Sequence, residues 1–249
     1  MRKKIMKTLH EVEQELNFWG WPQDKWELVV GNTTLQFNPK TMIMTWIVMI
    51  LVLLFAIAAT RNMSMRRPRG AQNVLEMIFE GIRSLVNQNM SPQKGATILC
   101  VVVTYFIFIL FSNLIGLVPT LSSPTADYNT TLGLALCTFF LIYFMGVKYK
   151  GIGYFKHYVQ PFVFFLPINL LEDFSKPITL TFRLYGNIYG GEVLIAVLLG
   201  LLGGWAHVFG GFIASVIWLA FSIFVGFIQA FLFTMLSIAY FSLAVKEDH

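Results

Sequence analysis

Between residue 160 and Val245 the Asp, Glu, Lys and Arg residues are few, and they sit in one stretch, FLPINLLEDFSKPITLTFRLYGNIYGGEVLIAVLL. They are Glu172, Asp173, Lys176, Arg183 and Glu192. From Val193 to Val245 there follow 53 residues without a Lys, Arg, Asp or Glu. Charged groups in so apolar a setting are expensive and mark function by default. At 100° and about 1.5 Å per residue, Lys176 and Arg183 share a helical face. Glu172 lies near that face and is placed to pair with Lys176 at i,i+4. This cluster belongs at the cytoplasmic membrane boundary, with Pro177 as a point where the helix can break. Arg183 lies deeper, with Asn187 one turn further on. Its guanidinium cannot lose its proton in a protein. It therefore needs a partner: a facing helix, water, or a carboxylate on another subunit. Glu192 points to the opposite face, about 13.5 Å further outward. A carboxyl group there can take and release a proton, and burial would raise its pKa. Arg183 and Glu192 on opposite faces suggest one side for a partner and one for water. In the last apolar stretch, Gln229 and Ser222 share a face, and Gln229 is placed to hydrogen-bond Arg183 across a hairpin. Asn113, Asp127 and Asn129 are candidates for lining an aqueous entrance from outside. The chemistry on offer is proton transfer around a fixed positive charge.

The elements that must hold these groups are membrane spans. Of 249 residues, 56% are hydrophobic and 12% charged, about half the charge usual for soluble domains. Such a chain is an all-α polytopic membrane protein. Disorder, collagen and small disulfide scaffolds are excluded. The net charge of +5 is small and dispersed, which excludes nucleic acid as a partner. A span needs roughly 20 apolar residues. About five are expected, near 41–60, 96–118, 131–147, 163–202 and 207–245. Gly203-Gly204, Gly210 and Gly211 offer turns between the last two. Residues 1–40 are expected to form an extracytoplasmic N-terminal segment and 41–249 the membrane domain.

Basic residues orient the spans. Segments 61–95 and 148–160 are rich in Lys and Arg, whereas 119–130 and the turn near 203–211 have neither. The positive-inside rule places the first pair in the cytoplasm, so the N-terminus lies outside and the C-terminus inside. Within 61–95, about residues 71–90 form an amphipathic helix. Val74, Ile78, Ile82, Leu85 and Val86 share one face and Glu76, Glu80, Arg83 and Asn87 another. It is expected on the cytoplasmic membrane surface. Cys100 and Cys137 read as small reduced core residues. No signal peptide is expected in the first 40 residues. There is no nucleotide-binding loop, nucleophile elbow or His/Cys cluster. No cofactor and no metal site is expected. Chemistry with ATP would run through partners.

The stretch PINLLEDFSKPITLTFRLYGNIYGGE is similar to that of the subunit a family of F-type ATP synthases. The resemblance extends to SPTADYNTT, FIQAFLFTMLSIAYFSLA and GAQNVLEMIFEGIR, over roughly residues 35–249. It implies the family's essential arginine at Arg183, its helper Asn at Asn187, its half-channel Glu at Glu192 and its last-helix Gln at Gln229. Ser222 stands where some relatives have His, so a relay through that His is not carried over. The resemblance also implies a long hairpin of the last two helices, tilted against a ring of c subunits. Further partners would be the b subunits of the peripheral stalk, the rest of the synthase and membrane lipid. Protons would enter near Asn113, Asp127, Asn129 and Glu192, and leave near Glu172 and Asp173. The chain would act as a subunit of a proton-transporting ATP synthase, with no nucleotide site of its own. Glu192 favours protons over sodium. The IYGGE sequence and the lack of a transit peptide favour a bacterial plasma membrane over a thylakoid. Two other classes remain: a self-contained transporter, which would need internal repeats, and a membrane anchor, for which Arg183 would be dispensable.

Overall fold

The computed structural model describes residues 26–30, 33–61, 63, 70–118, 121–151, 153–154, 158, 162–201 and 205–245. Most of the N-terminal segment, the arginines at 66, 67 and 69, and the terminal KEDH lie outside the described residues. So do the side chains of Glu192 and His207.

Apolar sequence in lipid must satisfy its backbone within each segment, and helices do so. α1 (Pro39–Thr60) and α3 (Pro92–Ile115) each begin with proline in the first turn, where a missing N–H costs nothing. α4 (Tyr128–Lys150) is capped by Asp127, whose carboxylate accepts from the backbone N–H of Asn129 at 2.9 Å. It ends at Gly151, with φ of 62°, the left-handed conformation that glycine takes without steric cost. α2 (Ala71–Asn89) is the short helix between the first two spans. α5 (Leu166–Leu201) has 36 residues and α6 (Trp205–Val245) has 41.

α1, α3, α4 and the Ala214–Val245 part of α6 are each long and apolar enough to cross a membrane. α5 has the length but carries the ionisable residues, and it packs against α4 and α6. α5 runs unbroken through Pro177, so proline does not end the helix. α6 begins at Trp205, which leaves Gly210 and Gly211 inside it; Gly203-Gly204 lie outside the described residues. One feature was not anticipated. β1 (Trp26–Val30) and β2 (Thr33–Phe37) form an antiparallel hairpin, Trp26 opposite Phe37 and Val30 opposite Thr33. Gly31-Asn32 between two such runs is a hairpin signal.

α3 is the central span, packed most extensively on α6 and also against α1 and α2. Its Val102 and Ile109 are fully buried, with Ala135, Ala230 and Ile238 alongside. Buried hydroxyls turn back on their own helices. Thr138, Thr181, Thr234 and Ser237 donate to carbonyls four residues earlier at 2.7–2.9 Å. Trp46, Leu53 and Leu54 on α1 face outward, as lipid-facing residues do. Cys100 and Cys137 are also exposed. The expectation that they fill the core is corrected, because α3 and α4 turn that side away from the bundle.

The apolar face of α2 packs on the protein's own helices. Ile82 and Val86 are buried, and Leu85 and Ile78 lie against the core, while Val74 is exposed. α2 touches α1, α3 and α6, so much of the face expected to meet lipid is covered by the bundle.

Two sets of contacts define the ends. At one, Thr41 at the start of α1 donates to the Asp127 carboxylate at 2.9 Å. At the other, Lys94 donates to the carbonyl of Val245 at 3.0 Å and Ser242 to that of Asn89 at 2.5 Å. The start of α1 thus shares a side with Asp127 and the start of α4, opposite the end of α6. That matches an odd number of crossings.

Tight packing at these ends generates two predictions. A Cβ on Gly116 would stand 2.6 Å from Ser123 Cβ and 3.0 Å from its backbone nitrogen. Gly116→Ala should therefore destabilise this end of the bundle by about 1–3 kcal/mol, seen as a lower melting temperature in detergent; an unchanged one would contradict this packing. At the opposite end, Tyr154 is buried over Gly146, where an added Cβ would meet its ring at 2.5 Å. Burial, and then the negative charge of Asp173, push its phenol well above the usual range. A raised folded-state pKa means that this stabilisation is complete below the unfolded value of about 10 and is lost as pH rises beyond it. Melting curves of Tyr154→Phe should accordingly depend less on pH than the parent's above about pH 10.

Candidate functional site

α5 carries the site because its two faces differ. Leu180, Thr181 and Leu184 are buried in the bundle, while Ile178 and Phe182 are exposed. Arg183 sits half-buried at the border between them. Among the described residues its guanidinium has no hydrogen-bond or ion-pair partner. Gln229, on α6, is buried at 4% exposure. No hydrogen bond joins it to Arg183 among the described residues, so the bridge expected across the hairpin is not formed.

α5 and α6 run antiparallel. Near one end the Lys176 ammonium lies 5.7 Å from the centre of the Tyr240 ring. Towards the other, the Trp218 indole N–H donates to the Gly191 carbonyl at 2.9 Å. Between this outer part of the hairpin and the end of α3 lies a cavity of about 40 Å³. A cavity of ~10–15 Å³ already holds a water if polar groups line it. Here the polar lining is Asn113, Ser123, Asn187, Trp218 and Ser222. Three residues singled out from the sequence, Asn113, Asn187 and Ser222, thus come from three helices to one space.

Asn113 is held in place. Its amide donates to the Gly226 carbonyl at 2.9 Å, and its carbonyl accepts from Thr125 at 2.7 Å. Ser123 donates to the Ser112 carbonyl at 2.7 Å. The 121–127 segment is thereby sewn to α3. Asp127 does not line this cavity; it caps α4 and accepts from Thr41. Asn129 is exposed. Glu192 follows Gly191 in α5, so its backbone is next to the cavity. Ser123, Thr125 and Trp218 were missed by sequence reading. Only the polarity of SSPT in an apolar chain hinted at the first two.

At the opposite end, Asp173 is buried at 4% exposure. Its carboxylate accepts from Tyr143 at 3.0 Å and from Tyr158, and it pairs with Lys176. The Tyr143 and Tyr158 hydroxyl oxygens also lie in contact with each other. The Lys176 ammonium therefore pairs at i,i+3, not with Glu172 at i,i+4 as expected. Glu172 faces solvent. The reason is tertiary: a buried carboxylate needs a counter-charge, whereas an exposed one has water. Among the described residues no group of His, Cys, Asp and Glu could hold a metal ion.

Comparison with known proteins accords with this arrangement. The family model described as ATP synthase A chain matches residues 42–242. The ATP synthase subunit a of Desulforamulus reducens is 54% identical over 248 residues, 97% of this chain and 94% of that relative. That of Staphylococcus carnosus is 40% identical over 92% of this chain and 98% of its own length. That of Bacillus subtilis is 38% identical over 86% and 95%. With a match across both the helical hairpin and the helices packed behind it, the chain belongs to the ATP synthase A chain family.

Proposed function

We propose that this chain is the proton-conducting stator subunit a of a bacterial plasma-membrane ATP synthase, loading and unloading carboxylates on a ring of c subunits through two offset half-channels. The observation that carries the proposal is Arg183: a permanent cation within a 36-residue helix, half-buried, with no partner among the described residues. Desolvating such a charge without a partner is costly. A carboxylate arriving on a neighbouring subunit supplies that partner. The exposed Ile178 and Phe182 beside it give that neighbour an apolar surface.

Protons enter from outside towards Glu192. Asp127 and Asn129 stand at the mouth, and Asn113, Asn187 and Ser222 border water on the way. In this chain a hydroxyl, Ser222, and enclosed water take the place of a His relay. The proton neutralises a ring carboxylate, which then crosses lipid at low cost. Gln229 packs behind the hairpin near the point of exchange. After nearly a full turn the carboxylate nears Arg183, whose positive charge favours its ionised form. The proton leaves to the cytoplasm past Glu172; Asp173 lies near that exit, buried and held in its pair with Lys176. Arg183 also repels protons, which keeps the half-channels from joining. The driving force is about 2.3 kcal/mol per charge per 100 mV. The b subunits of the peripheral stalk hold the chain against the torque. Residues 1–40 lie outside the cytoplasm, in keeping with the bond between Thr41 and Asp127.

Arg183→Ala should abolish ATP-driven proton pumping in inverted vesicles while ATP hydrolysis by the detached soluble sector survives. Coupled pumping at the normal rate would refute the proposal. Glu192→Gln should slow proton entry several-fold, in line with the usual ~10²–10⁴-fold contribution of a positioned acid–base group when water takes over part of it. An unchanged rate of ATP synthesis under a fixed gradient would remove Glu192 from the pathway.

A further inference from the structure

The Asp173 cluster has more binding partners than a solvated helix end needs. Its position on α5 gives the reason. A helical N–H bonds to the carbonyl four residues earlier, and Pro177 has no N–H. The carbonyl left without its helical partner is that of Asp173. The one missing rung in the first half of α5 is therefore at the residue whose side chain is most heavily bound.

We propose that the Asp173 carboxylate, with Tyr143, Tyr158 and Lys176, is a brace that holds α5 at its proline rung and so positions Arg183. The proposal rests on the role given to Arg183 above. The carboxylate reaches across three elements: Tyr143 on α4, Tyr158 in the connection after it, and Lys176 on α5 itself. Lys176 extends the contact to α6 through the face of Tyr240. Tyr158 is anchored in turn, its carbonyl accepting from the Asn169 amide at 3.1 Å. Beyond the rung, Thr181 bonds the Pro177 carbonyl at 2.8 Å. A proline-containing helix bends most readily at the lost hydrogen bond. Arg183 lies six residues past Pro177, about 9 Å along the axis. A change of ~10° at the rung would move it by roughly 1.6 Å, enough to spoil a charge–charge encounter. Asp173 and Lys176 are thus positioning residues, acting on the moving acid only through Arg183.

The test uses the intact synthase in inverted membrane vesicles. Proton pumping and ATP hydrolysis are read in the same sample, and their ratio does not depend on how much complex assembles. Asp173→Asn is expected to lower the ratio about three- to tenfold. Pro177→Ala added to it returns the missing N–H and is expected to recover most of the loss. An unchanged ratio in Asp173→Asn overturns the brace, and so does a fall that Pro177→Ala leaves uncorrected. Should Asp173→Asn not reach the membrane, Tyr143→Phe combined with Tyr158→Phe keeps the ion pair and carries the same test. A fall of about twofold is then expected, and an unchanged ratio overturns the brace. Arg183→Ala, run alongside, separates the two ideas. Normal pumping there defeats the role of Arg183 itself. Lost pumping there, with a normal ratio in the Asp173 variant, defeats the brace alone.

Discussion

A guanidinium cannot shed its charge, and a bilayer core offers no water to dissipate it. Much of this structure follows from placing such a group at Arg183. The helix that carries it must be long, must stay continuous past a proline, and must turn one face inward and the other to something outside the chain. α5 does each of these. Its inner face is closed by Leu180, Thr181 and Leu184. Its outer face is left apolar, and the charge sits on the boundary.

The remaining polar groups are handled in the opposite way. Asp173 is buried and given an ammonium and two phenols. Asn113 is buried and given a carbonyl and a hydroxyl. Thr138, Thr181 and Thr234 bond their own helices. Among the described residues the interior satisfies its buried polar side chains, the Ser112 hydroxyl excepted, in a medium where an unmet one costs several kcal/mol. Against that background the isolation of Arg183 is informative. In a chain so careful with its other buried groups, a cation left open implies a partner from elsewhere.

The two ends of the bundle divide the labour. At the outer end, the 121–127 segment, the end of α3 and the hairpin enclose a small polar cavity. At the inner end, ionic and aromatic contacts join α4, α5 and α6, while α2 packs across α1, α3 and α6. Both ends are reached along the same helix, α5, which lines the cavity through Asn187 and Gly191 and carries Asp173 and Lys176 at the other end.

Spans, their order and the unpaired charge were legible in the sequence, because hydropathy and helical period are sums over neighbours along the chain. The pairing of Lys176 was not. Asp173 and Glu172 are equally plausible partners on a bare helix, and Tyr143 and Tyr158, brought in from other elements, decide between them. The two cysteines were misplaced for the same reason: an apolar run does not say which side meets lipid and which meets protein, since both are dry. The hairpin at 26–37 was overlooked beside the much stronger helical signal. By itself, then, the sequence determined that this is a helical membrane protein with a cation it cannot neutralise. Only the tertiary structure decided which polar groups meet, because those contacts join residues 86 and 113 positions apart, and no local pattern carries information across such a distance.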